Sequence, residues 1–287
     1  MILITGATGK LGRTTVDHLL KVLPASSLAV LARDPEKAAD LKALGVDVRR
    51  GDYKNPASLT AAFAGIEKLF LVSSSDLADR STQHINVVDA AKAAGVKHIV
   101  FTSFQRKRDT GSPIQMLAQS YIDTEKHIKS SGMTYTLLRN GLYADVLPMF
   151  FGPRVLETGI FFPAGSTKSA YTVRNDMAEA AAAVLSGSGH ENKEYVFATE
   201  ENVSLDDIAV MLSELTGKQI GNINPTKELF IDTLTDAGVP AEMVAMSAGF
   251  AEAITLGEFA SEKTDLEHLL GRKPTPLKDF FKQTYLL

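Results

Sequence analysis

The run MILITGATGKLG, Met1 to Gly12, decides the fold. Ile2 to Thr5 are apolar or β-branched and predict a short buried strand. Glycines follow at 6, 9 and 12, and Leu11, Thr15, Val16, Leu19 and Leu20 then recur at helical spacing. A strand, a glycine-rich turn and a helix in that order offer free backbone N–H groups to a pyrophosphate. The helix N-terminus adds its partial positive charge. Here Gly6 permits the tight turn, Gly9 a close approach of backbone to phosphate, and Gly12 close packing of helix on strand. The spacing is G-x-x-G-x-x-G, not the G-x-G-x-x-G of many dehydrogenases. Three glycines alone would say little. Their place between a strand and a helix is what points to a nucleotide.

Global composition permits this reading. A chain of 287 residues, 45% hydrophobic, can bury a large core as one big domain or two modest ones. Its formal charge of −4 comes from mixed signs, so no polyanion-binding surface is advertised and no nucleic-acid partner is expected. The absence of cysteine excludes a disulfide framework, a zinc–cysteine site and thiol catalysis, and no metal site is expected. No apolar stretch is long enough to span a bilayer, and the short apolar N-terminus reads as part of the fold. A soluble cytoplasmic protein, monomeric or homodimeric, is the expectation.

Strands and helices alternate through the first half. Apolar runs predict strands at 28–32, 46–50, 68–72, 99–102 and 135–138, with helices over 35–44, 58–63 and 83–94 and another ending near Gly132. Such alternation predicts an α/β fold: a doubly wound parallel sheet of the Rossmann type, with ligands at the C-terminal ends of its strands. Residues 1–140 are assigned to this NAD(P)-binding domain. Aromatic, Pro and Gly residues crowd 143–165, an alanine-rich helix follows over 175–185, and 195–198 predicts a strand. Ser204 to Asp207 opens another helix as a capping box with Asp in place of Glu. Residues 141–287 are therefore read as a smaller C-terminal α/β lobe forming the far wall of a cleft, with the helix near 172–187 returning to the main sheet.

Strand ends supply the candidate site. Proteins selecting NAD usually carry Asp or Glu at the end of the second strand. Here that end is Ala32-Arg33, and an arginine fork suits a phosphate monoester, so NADPH is expected over NADH. The alternative for Arg33 is an ordinary solvated charge. Asp52-Tyr53 either borders an adenine or forms a turn. Ser73-Ser74-Ser75 and Thr102-Ser103 follow the fourth and fifth strands, where small hydroxyl residues let a cofactor approach and offer hydrogen bonds. Arg139-Asn140-Gly141 ends the sixth strand, placed either to touch nicotinamide or substrate or to form an internal ion pair.

Gly6 to Gly12, Arg33, Gly51-Asp52-Tyr53, the Ala91 to Ile99 stretch with Lys97-His98, and Tyr135 to Asn140 together resemble the atypical short-chain dehydrogenases of the NmrA-like group. Within it the chain is similar to the type 2 NAD(P)H:quinone oxidoreductases and the triphenylmethane dye reductases, along its whole length. The resemblance implies an NADPH-binding reductase with its substrate between two lobes. Carried across by position, it implies cofactor contacts at Gly6, Ala7, Thr8, Gly9, Lys10, Leu11, Gly12, Arg33, Ser73, Ser74, Ser75, Leu137, Leu138, Arg139, Asn140, Gly141 and Leu142. Tyr143 is implied on the substrate side.

The superfamily's Tyr-x-x-x-Lys proton donor pair is missing: its two positions fall on Leu117 and Tyr121. Hydride addition to a ketone creates a strongly basic alkoxide, for which a positioned acid matters. A quinone gives a phenolate-like anion that titrates near about 10, like tyrosine, and can take its proton from water. A flat apolar slot then suffices. Tyr143, Phe150 and Phe151 are the candidates to line it for a flat aromatic, quinone-like acceptor, with Phe161 and Phe162 as further members. No catalytic side chain is assigned, since hydride comes from the cofactor. His98 reads as structural, His84 as structural or near the cofactor, and Arg106-Lys107-Arg108 as a solvated charge run in a polar loop. Two alternatives stand beside the reductase: a non-catalytic NAD(P)-sensing regulator, and a reductase or epimerase of another substrate class.

Overall fold

The computed structural model describes residues 1–285. Its strands are β1 (Ile2–Ile4), β2 (Leu28–Ala32), β3 (Asp47–Arg50), β4 (Lys68–Leu71), β5 (His98–Phe104), β6 (Thr134–Asn140), β7 (Leu142–Tyr143), β8 (Ile160–Phe161), β9 (Ser169–Thr172), β10 (Lys193–Phe197), β11 (Asn202–Val203) and β12 (Asn222–Ile223). Seven of them form one sheet in the order β3-β2-β1-β4-β5-β6-β10, and every pair in it is parallel. The order reverses between β1 and β4, so the crevice of a doubly wound sheet opens beside the glycine turn.

Helices cover both faces. On one lie α1 (Lys10–Leu19), α2 (Ala39–Ala43) and α8 (Arg174–Ser186); on the other lie α3 (Pro56–Ala62), α4 (Arg80–Ala93) and α5 (Gln115–Ser130). Adjacent strand residues feed opposite cores, as strand geometry requires: Leu3, Leu69, Phe101 and Leu137 face α3–α5, whereas Ile4, Phe70, Val100 and Leu138 face α1 and α8. Ala178, Ala181 and Ala182 are buried in α8, and these small side chains let α1 approach closely.

The chain does not leave the sheet for good at residue 140. The strand expected at 195–198 is β10, and it pairs in parallel with β6 from Lys193↔Thr136 to Phe197↔Asn140. Residues 141–287 thus supply the sheet's last strand as well as α8, and the expected division at 140 cuts through the sheet. The remaining segments form a lobe at its C-terminal edge. It holds a three-stranded sheet ordered β11-β9-β7, the β8–β12 pair, and helices α6 (Leu147–Phe151), α7 (Val155–Thr158), α9 (Leu205–Thr216), α10 (Lys227–Asp236), α11 (Ala241–Thr255) and α13 (Leu277–Thr284). The capping box of α9 is complete: Asp207 N–H donates to Ser204 Oγ at 3.1 Å and Ser204 N–H to Asp207 Oδ2 at 2.9 Å. Helix α12 (Leu266–Leu270) packs on α8. Buried Asp176 ties the C-terminal segment down by accepting from Arg272 Nη2 at 2.7 Å.

Candidate active site

The glycine turn folds as its residues dictate. Gly6 takes φ +62°, a left-handed conformation that glycine adopts without strain, and Gly9 N–H donates to Gly6 O at 2.9 Å. A Cβ on Gly12 would sit 2.4 Å from Gly6 O, so only glycine lets α1 pack on the turn. No side chain caps α1, which leaves its first N–H groups free.

A cleft of about 370 Å³ opens here, lined by Gly6, Thr8, Gly9, Arg33, Tyr53 and Ser73–Ser75 among others. Arg33 is exposed at the end of β2. Of the Asp52-Tyr53 pair, left open between adenine contact and turn, Tyr53 bridges three elements: its hydroxyl hydrogen-bonds Thr5 Oγ1 and donates to Val72 O at 2.8 Å. Asp52 accepts from Lys54 N–H at 3.0 Å and so forms a turn at the cleft wall. A second cleft of about 450 Å³ lies along the other side of the α1 N-terminus, lined by Thr8, Gly9, Lys10, Arg13, Asp145 and Arg174 among others.

The serine loop after β4 is held from beneath. Ser73 N–H donates to Thr102 Oγ1 at 2.8 Å, and Ser74 N–H to His84 Nε2 at 2.9 Å. His84 is fully buried, and burial followed by the charge of Arg80 pushes it down to about 3. It is therefore neutral, accepting at Nε2 and donating from Nδ1 to Thr124 Oγ1 at 2.9 Å. His84 positions the loop. His98 lies at the opposite strand ends, bonded to Thr134 and Thr136.

The end of β6 divides by side-chain direction. Leu137 and Leu138 belong to the two cores, at 0% and 1% exposure, so neither side chain reaches the cleft. Arg139 turns into an ion-pair network, with Nη2 2.7 Å from Glu194 and 3.5 Å from Glu125. Asn140 is buried with Nδ2 donating to the Tyr143 hydroxyl at 3.0 Å, while its Oδ1 has no partner among the described residues. Gln105 Oε1, beside Gly141, is a second buried acceptor without a partner. Tyr143 lies under the Arg174 guanidinium, 5.0 Å from the ring centroid. Burial, with Tyr121 adding to it, pushes its hydroxyl up to about 12, so it stays protonated. Having accepted from Asn140, it still has its own O–H to give.

The aromatic residues form a chain rather than an open slot. Phe151 and Phe162 are core residues at 8% and 1% exposure. Phe150 stacks on Phe162 at 5.0 Å and reaches Phe250 at 5.8 Å; Phe250 stacks on Phe259, which meets Phe104, which stacks on Tyr121 at 5.5 Å. Of the five aromatics expected over the cleft, Tyr143, Phe150 and Phe161 are the partly exposed ones.

Sequence reasoning missed the buried carboxylate of Glu125. It takes hydrogen bonds from Ser103 Oγ, from Arg106 Nη1 at 3.0 Å and from Arg106 Nη2 at 2.8 Å. Arg106 is not part of a solvated run: its side chain is 6% exposed. Burial alone would raise the Glu125 carboxyl, yet hydrogen bonds from Arg106 and Ser103 carry it below the usual range. Nothing in the local pattern at 125 marks it, because its partners lie 19 and 22 residues away.

A model of the NmrA-like family matches residues 1–281. The chain belongs to the NmrA-like family. Its relatives include quinone oxidoreductase 2 of Escherichia coli K12, 41% identical over 280 residues that cover 97% of this chain and 96% of the relative. Among solved structures it is similar to an E. coli NADPH-dependent quinone oxidoreductase complexed with NADPH. That match has a TM-score of 0.93 and 39% identity, and covers 99% of this chain and 100% of the other. The Citrobacter triphenylmethane reductase complexed with NADP(H) matches with a TM-score of 0.92 and 39% identity over 99% of both chains.

Two features of the site fit a phosphorylated dinucleotide: the uncapped helix behind a turn that a Cβ at Gly12 would fill, and the exposed arginine at the end of β2. Among the described residues no group of three or more His, Asp or Glu could hold a metal ion, and no helix is long and apolar enough to cross a membrane.

Proposed function

We propose that the protein is an NADPH-dependent reductase passing hydride directly to a quinone or a similar flat, electron-poor aromatic acceptor. The observation that carries this is the free helix N-terminus behind Gly6–Gly12, with Arg33 at the second strand end, in a chain 41% identical to a quinone oxidoreductase. The bound dinucleotide would supply the hydride. The backbone of Gly6 to Gly12 would hold its diphosphate, and Arg33 the ribose phosphate. Asn140 Oδ1 and Gln105 Oε1 are buried acceptors matched to the N–H groups of a carboxamide. The Tyr143 hydroxyl is the donor available to an acceptor oxygen, and Phe150 the ring available to stack on it.

No Tyr-Lys pair is needed in this reading. The superfamily positions fall on Leu117 and Tyr121 of α5, and Lys126 is exposed. The anion formed from a quinone is delocalised, and water can protonate it.

Purified protein mixed with NADPH and menadione is expected to consume the reduced cofactor, followed by loss of its near-ultraviolet absorbance. NADPH binding without turnover above a heat-treated control would replace this reading by a dinucleotide sensor. Arg33→Ala is expected to raise the KM for NADPH roughly tenfold to a hundredfold, from about 1.5–3 kcal/mol for a charged hydrogen bond, and to leave that for NADH unchanged. Equal effects on both cofactors would overturn the role of Arg33.

A further inference from the structure

Arg80 breaks three rules at once. It is 7% exposed, yet among the described residues its Nε and Nη1 have no hydrogen-bond partner. A buried guanidinium ordinarily pairs with a carboxylate. It is also the first residue of α4, where the helix presents its positive end, and the N-cap Asp79 makes no side-chain cap there. Violations of this kind concentrate at functional sites.

The surroundings say what Arg80 serves. Its guanidinium lies 5.3 Å from the centroid of the Tyr121 ring, and the Tyr121 hydroxyl donates to Ser73 Oγ at 3.3 Å. Ser73 lines the cleft. Arg174 offers a contrast. That guanidinium covers the Tyr143 ring in the same way, but its charge is neutralised by Asp145 at 3.0 Å. Of the two, Arg80 alone is left uncompensated.

We propose that Arg80 and Tyr121 form an oxyanion subsite at the Ser73 edge of the cleft, which takes a negatively charged oxygen of the acceptor. This rests on the reductase reading for its ligand class: a carboxylate or sulfonate on an aromatic ring, or the oxygen that becomes anionic as a quinone is reduced. The Tyr121 O–H exchanges its weak contact with Ser73 for a hydrogen bond to that oxygen. Arg80 supplies the compensating charge. No proton need move.

The test is binding to the protein without NADPH, so its outcome is separate from that of the turnover assay. Naphthalene-2-carboxylate and its neutral carboxamide are titrated by calorimetry. The wild type is expected to prefer the carboxylate at least tenfold. Arg80→Gln is expected to erase the preference, Arg80→Lys to keep part of it, and Tyr121→Phe to reduce it severalfold. A structural role for Arg80 would weaken both probes alike. Lys42→Ala, an exposed position of α2 on the far face of the sheet, serves as a charge control that leaves the preference in place. If Arg80→Gln fails to fold, the Arg80→Lys and Tyr121→Phe titrations carry the test. Equal affinity of the wild type for the two probes, or a preference that survives at Arg80→Gln, overturns the proposal. In turnover, Arg80→Gln is expected to weaken the apparent affinity for a sulfonated naphthoquinone about tenfold.

Discussion

Gly12→Ala is expected to weaken NADPH binding about a hundredfold while leaving a folded sheet. The added Cβ would stand 2.4 Å from Gly6 O, 2.6 Å from Gly6 C and 3.0 Å from Ala7 N. All three are backbone atoms, so no rotamer change relieves the contact. Either α1 retreats or the turn opens. Helix α1 is backed by α8, whose buried alanines leave it little room. Overpacking of this kind costs about 1–3 kcal/mol of stability. Opening the turn also misaims the donors that a diphosphate needs, and a hundredfold loss corresponds to about 2.7 kcal/mol. Gly9→Ala is a graded comparison, since its Cβ would meet Gly6 O at 3.3 Å and the neighbour can yield. The affinities follow from fluorescence of the bound reduced nicotinamide. Wild-type affinity in Gly12→Ala would falsify the role given to this turn.

Glu125→Ala is expected to cost about 3–5 kcal/mol, the range for stranding one member of a buried ion pair. Arg106 would be left 6% exposed with only the exposed Asp109 as a charged partner, and Ser103 Oγ would lose its acceptor. At about 2–4 °C per kcal/mol for a chain near this size, the melting temperature should fall by roughly 10 °C. Arg106 begins the loop leading to α5, and the Glu125 bonds fix that loop against β5. Replacing both partners by leucine should recover most of the stability, because the desolvated charge disappears with its partner. A single-variant loss under about 1 kcal/mol in thermal or denaturant melts would show that the pair is not effectively buried.

The order of strands and helices was legible because each element carries its own period. Leu28–Ala32 is an unbroken apolar run buried on both sides, and it forms a strand with those bounds. The glycine turn was legible for a similar reason, since all its parts lie within 12 residues. What could not be read is whatever depends on distant partners. Nothing near Tyr195 says that its strand lies against Tyr135 to Asn140 rather than in the second lobe. The local sequence of Arg106-Lys107-Arg108 looks like a solvated loop, and only the approach of α5 turns Arg106 inward. Leu137 and Leu138 were placed by position along a strand, but a strand sends adjacent side chains to opposite faces, and both faces here are core. The Arg80–Tyr121 contact spans 41 residues and two helices, which local pattern does not reach.

The return of the chain to the sheet through β10 also bears on how acceptor range can change. The stretches over residues 142–172 and 202–255 leave and re-enter the main body at α8, β10 and α12, so each is fastened at both ends. They behave as two loops sewn onto a frame, not as a cap on a hinge. Substituting one such loop would alter the lobe while the frame behind the glycine turn keeps its seams. A chain cut at residue 140 would instead bare the β6 edge and remove α8 from the α1 face, leaving half a sandwich with its filling exposed.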